Sequence, residues 1–237
     1  IPSINHYALN IGKRFWPLDN TDINMMFPGY ELGETTQRIA KKVFDAISGY
    51  DFGIILERRP DPATCLPYIK LFKSGYEDLI GAKKFGFKMI HHRTMKSIDT
   101  VTLQYNWQLW GTKAFSIMCP SDNQVDRKIA SQINQAMMRF MDKTKIIDYH
   151  IFNGYESTVI DRNSIAVVNS PRSGIFISKE LPGNYVSKDQ VIGEIVHSLE
   201  GDVIHQFLAP CNGMVTCFYS NSLIYEHAVA FRIAKIG

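Results

Sequence analysis

Three sets of side chains in this chain have the types and settings for chemistry. Glu57 stands where the apolar run Phe52-Gly53-Ile54-Ile55-Leu56 breaks into Arg58-Arg59-Pro60-Asp61-Pro62. A carboxylate in that position can ligate a metal, shuttle a proton or merely solvate the end of a strand. His91 and His92 follow a second run, Phe87-Lys88-Met89-Ile90. Imidazoles ligate metals and carry protons near neutral pH. Neighbours on a strand point to opposite faces, so one of the two at most serves a given pocket, and a lone histidine serves equally as a hydrogen-bonded structural residue. The four cysteines, Cys65, Cys119, Cys211 and Cys217, form no CxxC pair and no dense framework. Reduced thiols in a cytoplasmic protein are the expectation.

The elements that must hold these groups come next. Short apolar runs bounded by turn residues read as strands buried on both faces, as at the centre of an α/β sheet, where chemistry gathers at the carboxyl ends. Residues 52–56 are such a strand, with Glu57 the first polar side chain beyond it, and 87–93 and 114–118 are two more. Residues 1–10 read as a strand entering a loop. A helix is predicted over 33–47, capped by Thr35 or Thr36, with Ile39, Val43, Phe44 and Ile47 as its core stripe. Further helices are expected over 76–85, ended by Gly86, and over 100–110, burying Leu103, Trp107 and Leu109. A long helix is expected from Asp122, with Val125, Ile129, Ile133, Met137 and Phe140 inward. From about Ser157 the strands shorten, and turn signals recur at 171–174, 182–184, 200–202, 210–213 and 220–221, which is all-β punctuation.

Composition sets limits. At 237 residues, 45% hydrophobic and 21% charged, the chain can bury a substantial core. The net charge of +3 comes without a basic block, so the electrostatic footprint of nucleic-acid binding is missing. No apolar run approaches membrane-spanning length, and a signal peptide is not seen at the N-terminus. Neither nucleic acid nor membrane is expected as a partner.

Two stretches carry a family resemblance. Arg14 to Gly29, read RFWPLDNTDINMMFPG, resembles the pattern R-x-x-P-x-D-x-x-D-L-N-R-x-F-P-G of the succinylglutamate desuccinylase/aspartoacylase family, relatives of the zinc carboxypeptidases. Residues 52–71 resemble that family's D-L-H-T, arginine, N-L-P segment, with Leu56 on its leucine and Leu66-Pro67 on its L-P. The strand Ala114-Phe115-Ser116-Ile117-Met118 resembles its A-L-T-L-E. The run from Gly183 to Ile195, with Ala209 to Val215, resembles its small C-terminal β-domain, a barrel-like sandwich shared with biotinyl and lipoyl carriers. The tip Pro210-Cys211-Asn212-Gly213 has no acceptor lysine, so a carrier role is not expected.

The resemblance implies a fold and a set of departures. The fold is α/β, a zinc-carboxypeptidase-like mixed sheet flanked by helices over residues 1–156, lacking the first strand-helix unit, plus a β-rich C-terminal domain over 157–237. The family's cofactor is zinc. Its third zinc ligand, a histidine, falls on Glu57, and its general base, a glutamate, falls on Met118. The asparagine-arginine pair that binds the substrate carboxylate falls on Asn24 and Met25, and a second arginine on Ala63. A thioether has no titratable proton, and methionine cannot supply arginine's forked donors. Asn24, Met25, Ala63, Arg58 and Arg59 are the candidate substrate-binding residues. Glu57, His91 and His92 are the candidate metal ligands. No H-x-x-E is expected to supply the family's other two ligands from within the chain.

Three functions follow as expectations. In the first, zinc and catalysis are lost, and the chain is a binding or structural subunit. A second polypeptide or an N-terminal fragment would complete its sheet, or a homo-oligomer would cover the edge, or a homologous active subunit would stand beside it. In another, the old pocket, made more apolar by Met25, Met26 and Met118, makes the chain a small-molecule binding module. In the alternative, the chain is an active zinc-dependent amide or ester hydrolase whose rebuilt site is completed by another chain.

Overall fold

A computed structural model describes residues 1, 3–58, 62–120 and 126–236. Among the described residues five α-helices and fourteen strands run in the order α1 His6–Asn10, α2 Thr35–Ile47, β1 Phe52–Arg58, β2 Ala63–Cys65, β3 Tyr68–Lys73, α3 Leu79–Lys83, β4 Met89–Thr94, α4 Leu103–Leu109, β5 Lys113–Cys119 and α5 Arg127–Lys143. Then come β6 Thr158–Ile160, β7 Ile165–Asn169, β8 Gly174–Ser178, β9 Tyr185–Val186, β10 Val191–Val196, β11 Val203–Leu208, β12 Gly213–Tyr219, β13 Leu223–Ile224 and β14 Val229–Lys235. The architecture is mixed α/β. One sheet has the order β1-β5-β3-β4-β6, with β4 and β6 parallel. A second has the order β11-β10-β8-β13, and a third β2-β12-β14-β7 with β9 also on β12. The described pairings of these last two are antiparallel.

The chain forms two compact units. The first comprises Ile1–Ile55, Leu71–Leu79 and Thr94–Ser116. Its core joins Trp16, Ile23, Phe27, Ala40, Phe44, Leu103, Trp107 and Ala114. The RFWPLDNTDINMMFPG stretch folds here as scaffolding. Arg14 donates twice to Asp22 Oδ2, at 3.1 and 2.6 Å, and Thr36 Oγ1 donates to Asp19. Asn106 Nδ2 ties the carbonyls of Phe27, Thr100 and Thr102. Glu34, not a threonine, sits before the first turn of α2, where its N–H donates to Gln37 Oε1 in a capping box.

The second unit comprises Leu56–Lys70, Ile80–Arg93 and Ile117–Gly237. One of its core clusters is aromatic and β-branched, with Phe176, Phe207 and Phe231 around Ile192, Ile195 and Ile233. Alternating apolar residues on β8, β10, β12 and β14 build it, as the period-2 pattern of these strands requires.

Several local expectations are corrected. Residues 6–10 are helical rather than extended, because the Asn5 side chain accepts from the Ala8 N–H and caps a turn. Leu109, at the end of α4, is not buried but 43% exposed. The long helix starts at Arg127 behind Asp126, whose carboxylate accepts from the Lys128 and Ile129 N–H groups; Asp122 and Val125 lie outside the described residues. The apolar run 52–56 is not central. Among the described residues β1 ends the strand order, and Leu56 is 57% exposed. An apolar run reads alike in a central strand and in an apolar edge, since only the number of neighbours separates them. Two cysteines are also not reduced: Cys65 and Cys217, directly opposed on β2 and β12, form a disulfide with Cα atoms 4.2 Å apart.

Candidate functional site

Within the second unit, several predicted site residues converge. β1 continues to Arg58, so Glu57 lies inside the strand rather than beyond it. Its carboxylate accepts a hydrogen bond from Lys70 Nζ at 2.5 Å, with both side chains largely buried. Lys70 shares a face of β3 with Tyr68, two residues earlier. The Tyr68 ring lies 6.2 Å from the ring of His91 on β4. Alternation puts His92 on the other face, so only one histidine joins this row.

Met118, on which the sequence resemblance places the family's base, is buried in an apolar cluster with Tyr68, Met89, Ile160, Met214 and Ala234. Its thioether fills core space where a proton shuttle would need access to a substrate. Ala63, on which the sequence resemblance places a substrate arginine, is buried on β2 opposite Tyr219. It lines an apolar cavity of about 260 Å³ with Cys217, Phe218, Tyr219 and Phe231. Arg58 is exposed at the end of β1, and Arg59 lies outside the described residues.

Two features were not anticipated. Cys119, at the end of β5, is a free thiol that lines a cavity of about 230 Å³ with Thr64, Cys65, Asp126 and Ile133. Burial pushes its pKa up, and the Glu57 charge pushes it further the same way. An H-x-x-E also stands in the chain, at His197–Glu200, which corrects the expectation of none. It occupies the turn after β10. There the Glu200 N–H donates to His197 Nδ1 at 3.3 Å, and the carboxylate lies 3.6 Å from the same nitrogen. The motif closes an exposed turn, a use of these residues that spacing alone does not separate from metal binding.

Asn24 and Met25 belong to the first unit, on a single 3-10 turn, Ile23–Met25. Asn24 Oδ1 accepts from the Leu103 N–H at 3.4 Å, at the start of α4, and Met25 is half-buried. Asn24 is thus a cap across the unit's core.

Solved structures supply the comparison. The whole chain superposes on 74% of a succinylglutamate desuccinylase/aspartoacylase from Rhodobacter sphaeroides, with a TM-score of 0.76 and 16% identity. The chain has the succinylglutamate desuccinylase/aspartoacylase fold. A succinylglutamate desuccinylase from Silicibacter sp. TM1040 gives a TM-score of 0.79 at 13% identity. The product-bound ectoine utilization protein EutE (DoeB) from Ruegeria pomeroyi gives 0.75 at 15%. Each again covers all of this chain and 74% of the other. No family model matches the sequence, and no curated protein sequence does.

The metal that the desuccinylase/aspartoacylase resemblance implies does not fit the described residues. Among them no three His, Cys, Asp or Glu side chains are grouped to hold an ion. Glu57 offers its carboxylate to an ammonium, which neutralises the charge a dication would need.

Proposed function

We propose that this chain is a non-catalytic relative of the N-acyl amino acid deacylases and acts as a binding or structural subunit. The burial of Met118 in an apolar cluster carries the reading. An absent general base costs on the order of a hundredfold or more in rate, and here the base position also lacks access. The Glu57–Lys70 pair supports the same conclusion, because it uses the ligand position for structure.

The subunit pairs with a second polypeptide, or an N-terminal fragment, along β1. That strand ends the sheet order among the described residues and presents Leu56 to solvent, and an apolar edge is a template for another strand.

The test is elemental analysis of the natively purified protein, with co-purifying chains identified by mass spectrometry and N-acyl amino acids offered as substrates. The expected result is no stoichiometric zinc and no turnover. Stoichiometric zinc with zinc-dependent turnover that Glu57→Ala abolishes would overturn the proposal in favour of a rebuilt hydrolase. A monomer whose β1 amides resist hydrogen exchange would overturn the strand pairing.

A further inference from the structure

The second unit holds a charge that no carboxylate among the described residues neutralises. Arg139, on α5, is only 9% exposed. Its Nε donates to the Phe85 carbonyl at 2.9 Å, and no carboxylate among the described residues pairs with it. Two backbone turns press against it. Gly86 and Gly154 both have positive φ, and a Cβ on either would lie 3.0 or 2.9 Å from Nε. The Tyr155 N–H closes this contact by donating to the Gly86 carbonyl at 3.0 Å. Burial lowers the pKa of the guanidinium, and Tyr155 raises it by a smaller amount.

Among the described residues the two Nη groups of Arg139 make no hydrogen bond, and neither is wholly sealed from solvent. The guanidinium is therefore held through Nε, which leaves its two Nη groups as unused donors. Two more cations border the same turn. Lys143, one helical turn after Arg139, donates to the Asn153 carbonyl at 3.2 Å. Lys88 Nζ lies 4.9 Å from the Tyr155 ring centroid. Neither forms an ion pair among the described residues; their partners are carbonyls and a ring face.

A largely buried charge is costly unless something pairs with it. A guanidinium fixed at Nε offers its remaining donors as a fork suited to a planar or tetrahedral oxyanion, and lysines add point charge around it. We infer that Arg139, with Lys143 and Lys88 around the Gly86–Gly154 contact, forms a binding site for a dianionic oxyanion, of the kind carried by a phosphomonoester. Three cations that pair with no carboxylate among the described residues, Asp142 beside them accepting from the Tyr149 N–H, favour a doubly charged group over a single carboxylate. The site uses none of the residues at Glu57, Met118 or Ala63, so it does not depend on the fate of the old pocket.

The test is calorimetric titration of the full chain with inorganic phosphate, and with acetate at matched ionic strength. Saturable phosphate binding in the millimolar range or tighter is expected, with acetate much weaker. Lys143→Gln and Lys88→Gln are each expected to weaken phosphate about tenfold at most, and Arg139→Gln to abolish it, since a charge-assisted hydrogen bond is worth about one to two decades in affinity. Should Arg139→Gln fail to fold, the two lysine variants, on half-buried side chains, carry the test. No saturable phosphate binding, phosphate binding unchanged in both lysine variants, or acetate binding as tightly as phosphate would each overturn the inference.

Discussion

Lys70 donates a hydrogen bond to the Glu57 carboxylate at 2.5 Å, and both side chains are more than four-fifths buried. Removing one partner leaves the other charge with its desolvation cost, whereas removing both leaves none. Lys70→Met alone is expected to lower stability by about 2 kcal/mol, a figure reduced from fully buried pairs for the remaining exposure. Glu57→Leu combined with Lys70→Met should recover more than half of that loss. Urea unfolding of the two single variants and the double variant gives the coupling energy. Single losses that simply add would mean that the pair is not a unit.

The Cys65–Cys217 bond makes a second prediction. It joins residues 152 positions apart, so it restricts a long loop in the unfolded chain. For loops of this length the chain-entropy account gives about 4–5 kcal/mol as an upper figure, and reduction is expected to lower stability by about 2–4 kcal/mol. Unfolding with and without reductant measures the difference. Thiol titration of the denatured, unreduced protein should find two reactive groups, Cys119 and Cys211, of the four cysteines.

Cys119 supplies a pH dependence. Burial and the Glu57 charge both disfavour its thiolate, which is the form that reacts with alkylating reagents. Its labelling in the folded protein should therefore be slower at neutral pH than in the unfolded protein, and should rise at more alkaline pH. Glu57→Gln should speed it by removing one of the two causes. A group whose folded pKa lies above its unfolded value favours the folded state at neutral pH. That contribution falls away as pH rises through the folded value. Mass spectrometry after timed alkylation at a series of pH values checks both the rate and the effect of Glu57→Gln.

Gly53 on β1 has a steric role inside the first unit. A Cβ there would lie 2.5 Å from the Trp107 ring. Trp107 is buried and its indole N–H donates to the Ile47 carbonyl at 3.0 Å, so the ring has little freedom to yield. Gly53→Ala is expected to cost about 1–3 kcal/mol, the range for overpacking a fixed core. The thermal midpoint reports the loss, and a change in tryptophan emission would confirm that Trp107 takes the strain.

Much of the scaffold was legible because it obeys simple periods. The helix over Thr35–Ile47, the strand Lys113–Cys119 and the β-rich end announce themselves through 3.6- and 2-residue patterns and through turn residues. Other features depend on neighbours that sequence does not display. Whether Phe52–Arg58 is central or terminal in its sheet depends on what lies beside it. The Cys65–Cys217 bond joins distant strands with no local motif, and so the cysteines read as reduced thiols. At the candidate site, the departures at Glu57 and Met118 were visible as residue types. Their outcomes, an ion pair and a core position, were not. Arg139 carried no signal at all, because an arginine on a polar helix looks solvated until Gly86 and Gly154 close over it. The H-x-x-E at His197–Glu200 shows the reverse, a spacing with a chemical reputation spent on a surface turn.

The bond between Cys65 and Cys217 turns most of the second unit into a covalent ring. The irregular stretch between α5 and β6, which exposes Tyr149, Phe152 and Tyr155, lies inside that ring and is open to proteases. A single cut there opens the ring without separating the pieces, so the nicked protein should keep its mass on a non-reducing gel and fall into two fragments once reductant is added. In the folded state the β4–β6 pairing and the apolar cluster around Met118 still join the two pieces, so it is under denaturing conditions that a nick silent without reductant becomes a separation with it.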